Sequence, residues 1–157
     1  MPRSRPGRLR ADRRHDPRTW DGPPPARIHR LSTPSSLAIH RAEMLSTDYY
    51  VYPGATERAL RRYRAFVLSP GHRTVYPQEA HCSCRGCSLD DVRHARDVLD
   101  RVLRQLPARA RGELRRRMAA LDAAYLERTL PDPFADQRQW RSDLWWRRRL
   151  TDGREGW

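Results

Sequence analysis

Apolar residues fall into a helical rhythm three times along this chain of 157 residues. Over residues 56–68, Leu60, Tyr63 and Val67 recur at spacings of three and four, and Arg58, Arg61 and Arg62 take the opposite side. A period of 3.6 residues puts such positions on two faces of a helix, so the pattern predicts an amphipathic helix with a basic outer side. Thr56, just after the Pro53–Gly54 turn, is the expected N-cap. The second stripe is the clearest: Leu89, Val92, Ala95, Leu99, Val102, Leu103 and Leu106, with Asp97, Arg101 and Arg104 facing away. Ser88 would cap it, with Asp91 at the capping-box position. Pro107 ends that helix and suits the first turn of the next, where Ala110, Leu114, Met118, Leu121 and Tyr125 repeat up to about Arg128.

Two long helices with so short a join should fold back on each other. The expected fold class is therefore mainly α: a small helical domain over residues 48–150, built on an antiparallel helix hairpin. Pro131 and Pro133 stop the third helix, and Gln137–Leu150 is expected to form a last short helix carrying Trp140, Leu144, Trp145 and Trp146. Residues 69–87 form a loop, and 151–157 a flexible tail. Residues 1–47 show no periodicity. The first 43 of them hold ten Arg and seven Pro against four acids, a net +6, and are expected to be a disordered basic arm. Met44 is a second candidate start for the chain.

Charge sharpens this picture. The chain carries +13, and all 32 of its Lys+Arg positions are Arg. Such a balance permits nucleic acid or an acidic protein as partner, without bearing on fold. Three Arg groups could hold phosphate: Arg58 with Arg61, Arg62 and Arg64; Arg115–Arg117; and Arg147, Arg148 and Arg149, which directly follow Trp145 and Trp146. Guanidinium forks bind phosphate oxygens and aromatic faces stack on bases. The bland alternative is that the arginines solvate helix faces and the tryptophans fill the core. No apolar run exceeds four residues, so no membrane span is expected.

Candidate chemistry is confined to one cluster, His81-Cys82-Ser83-Cys84-Arg85-Gly86-Cys87. Three tightly spaced cysteines do not read as a disulfide framework, and they point to a reducing, cytoplasmic setting. Thiolates are good ligands for zinc, which takes four donors in a tetrahedron. Cys82, Cys84 and Cys87 would supply three of them and His81 the fourth, with His72 as the alternative fourth ligand. Such a site is closed: it would pin a loop and catalyse nothing. Neither a phosphate-binding glycine loop nor an H-E-x-x-H pair is present in the sequence, so nothing positive points to an enzyme. The leading expectation is a small non-catalytic module stabilised by Zn2+, binding nucleic acid or an acidic protein. The alternatives are a metal-free helical protein that docks through its Trp-rich C-terminal segment, and a redox or iron–sulfur protein.

Overall fold

The computed structural model describes residues 26–78, 84, 87–88, 91–138 and 141–152. Among them stand four helices: α1 (Thr33–Leu45), α2 (Ala55–Val67), α3 (Val92–Gln105) and α4 (Ala108–Arg128). The expected mainly helical class and the α3–α4 hairpin are both present. Leu106 and Pro107 make the join, and Leu106 is itself buried. All three stripes face inward. Leu60, Tyr63 and Val67 of α2, Val98, Leu99 and Val102 of α3, and Leu114, Met118 and Tyr125 of α4 belong to one buried cluster. Of all the helix pairs, α2 and α3 share the most extensive contact.

The first correction concerns the N-terminal arm. Residues 26–47 belong to the fold, which therefore begins well before residue 48, while residues 1–25 lie outside the described residues. Ile28, Leu31 and Ile39 are completely buried, and α1 packs on α4 and α3. Two carboxylates explain how so polar a segment is held. Glu113 of α4 accepts from the Ser32 amide at 2.6 Å and from the hydroxyls of Ser32 and Ser35. Ser32 meanwhile caps α1 by accepting from the Ser35 amide. These hydrogen bonds to its charged form, chiefly from Ser35, hold the Glu113 carboxyl below the usual carboxylate range. The second carboxylate, Glu43, is 1% exposed. It accepts from the amides of Gly54 at 2.9 Å and Thr56 at 2.7 Å, which are orphan donors at the start of α2.

That contact also corrects the cap of α2. Gly54, not Thr56, is the N-cap, in a left-handed conformation (φ 86°) that glycine adopts without steric cost. Thr56 lies inside the helix because Glu43 does the capping from a distance. Similarly, α3 begins at Val92, with Asp91 rather than Ser88 as its cap; the Asp91 side chain accepts from the Arg93 amide at 2.8 Å. Leu89 lies outside the described residues.

The expected terminal helix over Gln137–Leu150 is replaced by two single 3-10 turns, Ala135–Gln137 and Trp145–Arg147. Beyond the second turn the chain folds back on residues 130–132. The Leu150 amide donates to the Leu130 carbonyl and the Asp132 amide to that of Arg148, so these stretches pair antiparallel. Trp146 is buried against the hairpin, and its backbone carbonyl accepts from the Tyr125 hydroxyl at 2.9 Å. Trp140 lies outside the described residues. Thr151 and Asp152, expected in a flexible tail, are half-buried, and the Asp152 amide donates to the Pro77 carbonyl.

Candidate functional site

The structure treats the three arginine groups differently. Arg147, Arg148 and Arg149 are all given partners within the fold. Arg147 forks onto Asp97, with Nε 2.9 Å from Oδ2, Arg148 pairs with Asp136, and Arg149 donates to the Thr129 hydroxyl and to backbone carbonyls. Trp146 Nε1–H donates to Asp97 at 2.7 Å, and Trp145 stands edge-on to both Trp146 and Tyr125. Asp97, expected to face away from the core, is thus the anchor of the C-terminal segment. Periodicity could not show this, because the partner lies 49 positions away.

Around that anchor lies a groove of about 550 Å³ whose cations are compensated. Arg101 pairs with Asp48, Arg104 with Asp100, Arg141 with Asp143 and Arg147 with Asp97. His94 is buried near it, with its ring edge-on to Tyr50 at 4.5 Å. Burial, chiefly, pushes the His94 pKa down, which favours the neutral ring.

The other two arginine groups come together. Arg61 and Arg64 of α2 and Arg117 of α4 line one cleft of about 470 Å³, walled on one side by Leu60, Ala65 and Leu68. Its only carboxylate, Glu57, already accepts from the His29 amide. Among the described residues no acid pairs with Arg61, Arg64 or Arg117. The Nε of Arg117 is buried and has no hydrogen-bond partner. Burial, then the like charges of Arg30 and Arg64, push its pKa down. Arg30 itself sits in a tight turn closed by the Leu31 amide on the Ile28 carbonyl. Its φ of 62° is the only positive value on a described residue other than glycine. A residue other than glycine in that region costs about 1–3 kcal/mol, and such strain clusters at functional positions. Arg58 and Arg62 of the same helix are exposed on α2.

The cysteine cluster is partly described. Cys84 and Cys87 are exposed, and the Cys87 amide points at Cys84 Sγ, 3.4 Å away. The Ser88 amide donates to the Cys84 carbonyl, completing a tight turn that leads into α3. An amide aimed at sulfur favours the thiolate over the thiol. His81 and Cys82 lie outside the described residues, and His72 is exposed. Among the described residues no three His, Cys, Asp or Glu side chains come close enough to hold a metal.

Sequence reasoning missed the residue that holds the loop's first half. Arg128 donates to the carbonyls of Val67, Ser69 and Arg73, tying residues 67–73 to the end of α4. No helix among the described residues is long and apolar enough to cross a membrane. Comparisons with protein-family models, curated proteins and solved structures each return no match.

Proposed function

We propose that this chain is a small non-catalytic binding module whose partner is nucleic acid, held mainly through its phosphates. The observation that carries this reading is the uneven pairing of arginine. On the side of the molecule formed by α3 and the C-terminal segment, each groove-lining cation has an acid. On the α2–α4 side, Arg61, Arg64 and Arg117 line a cleft whose one carboxylate, Glu57, pairs with none of them among the described residues. Cations left without intramolecular acids are free to displace counterions from a phosphate chain.

The test is a salt titration. A labelled single-stranded DNA, followed by fluorescence anisotropy, should bind at low salt and weaken steeply as salt rises, by about 0.7 log units per log unit of salt for each phosphate contacted. Binding of polyglutamate but not DNA would assign the cleft to an acidic protein and overturn the reading. So would DNA binding that does not respond to salt.

A second reading concerns the loop, and the Cys87 amide on Cys84 Sγ favours it. Here Zn2+ is held by Cys82, Cys84, Cys87 and His81, as a clip that fixes the chain entering α3. When bound, the ion supplies cross-linking and no reaction. Protein purified under reducing conditions should carry zinc near one equivalent, and Cys84→Ser should lose it. Metal-free protein with an unchanged melting temperature would remove zinc from the account without touching the α2–α4 cleft.

A further inference from the structure

We infer that the α2–α4 cleft is a phosphate subsite, in which Arg61, Arg64 and Arg117 hold one phosphate group of a nucleotide while Leu60 and Leu68 wall the adjoining sugar or base. This deepens the nucleic-acid reading and rests on it.

Three cations line one cleft, and one of them carries a buried donor that the fold leaves without an acceptor. Arg117 Nε is excluded from water and has no partner. An unmade bond at a buried donor costs the desolvation of that group. The like charges of Arg30 and Arg64 make the position worse still. A phosphate in the cleft would cancel the mutual repulsion and accept hydrogen bonds from the guanidinium groups that line it. Among the described residues no carboxylate pairs with these three arginines: Glu57, which lines the same cleft, accepts from the His29 amide.

Composition fits the same ligand. Each guanidinium fork matches two oxygens of a carboxylate or a phosphate, and a terminal phosphate offers three oxygens, so it can be shared by several forks more readily than a carboxylate. The cleft also has an apolar side. Leu68, on its rim, is 56% exposed, which gives a sugar or base a surface to cover. Arg30, whose charge acts on Arg117, occupies a left-handed turn where glycine would be conformationally easier. That choice of residue adds positive potential where the phosphate would sit.

The experiment compares four full-length chains: wild type, Arg117→Met, Arg64→Gln and Arg101→Gln. The last removes the same unit charge from the compensated groove. Binding of a short 5′-phosphorylated single-stranded DNA is followed by anisotropy at fixed low salt. Arg117→Met and Arg64→Gln should each weaken it about tenfold and lower the salt slope by about one contact, while Arg101→Gln changes affinity less than about threefold. Arg64 is exposed, so its variant keeps the test valid should Arg117→Met fail to fold.

Pyrophosphate is the second probe. At equal ionic strength it should raise the melting temperature of wild type and leave that of Arg64→Gln unchanged. Competition by a free mononucleotide would support a terminal phosphate as the natural ligand, and competition by unphosphorylated DNA alone would support a chain phosphate. Equal weakening by all three variants would overturn the subsite and leave general binding to a polyanion standing. Wild type that binds no DNA at low salt would overturn both.

Discussion

A chain started at Met44 is expected not to fold. It would lack Ile28, Leu31 and Ile39, which are all fully buried. Burying an aliphatic side chain of this size stabilises by roughly 1.5–3 kcal/mol, so the three together contribute about 4–9 kcal/mol. Whole domains are stable by only about 5–15 kcal/mol. The truncation also removes Glu43, leaving the Gly54 and Thr56 amides without their acceptor. Circular dichroism on heating should show a cooperative transition for the full chain and none for the shortened one. Glu43→Ala isolates the capping contribution and should cost about 3 kcal/mol, since a buried charged acceptor is lost from two donors. A truncated chain that melts cooperatively at the wild-type temperature would show that α1 is dispensable.

Asp122→Ala is the second large effect. The Asp122 carboxylate joins three elements: it accepts from the Tyr63 hydroxyl of α2 at 2.8 Å and from Arg96 of α3 at 2.9 and 3.0 Å, while itself standing on α4. The Arg96 guanidinium in turn lies 4.2 Å from the centre of the Trp146 ring, which brings the C-terminal segment into the same network. The side chains of Arg96 and Asp122 are only 8% and 19% exposed. Removing one member of such a pair strands a buried charge and should cost about 3–5 kcal/mol. Tyr63→Phe removes one neutral donor and should cost only about 1 kcal/mol.

Denaturant unfolding followed by tryptophan fluorescence measures both variants. The double variant Arg96→Met with Asp122→Leu should recover part of the loss, because two apolar side chains of similar size replace the pair. A loss below about 1 kcal/mol for Asp122→Ala would place the network at the surface in energetic terms.

What could be read along the chain was local. The stripes of α2, α3 and α4 were legible because each repeats the same face several times, and Tyr63, Leu99, Leu114 and Tyr125 are buried as their spacing requires. The helix α1 was not legible, for a physical reason: among its buried residues are Ser35, Ser36 and Glu43, with Ile39 the only large apolar one. A face made of two serines and a glutamate carries no hydrophobic signal. It is stable only because Glu113, 78 positions from Ser35, and the start of α2 supply partners. The terminal helix was misread for the opposite reason. Leu144, Trp145 and Trp146 are apolar enough to suggest an amphipathic helix, yet the pairing of residues 130–132 with 148–150 fixes the backbone instead.

The candidate site follows the same division. By itself the sequence determined the helical class, the hairpin, the residues of the central core, and the presence of arginine groups and a cysteine cluster. Which arginines are neutralised was decided only by the tertiary structure. Arg147 and Arg117 are each the third or first residue of an arginine run that looks equally free in the sequence. One meets Asp97 across the fold, and the other meets Arg64 and Arg30. Hydrophobic periodicity depends on neighbours three and four positions apart, and a helix supplies those whatever the rest of the chain does. Charge compensation depends on groups dozens of positions away, which become neighbours only when the helices pack.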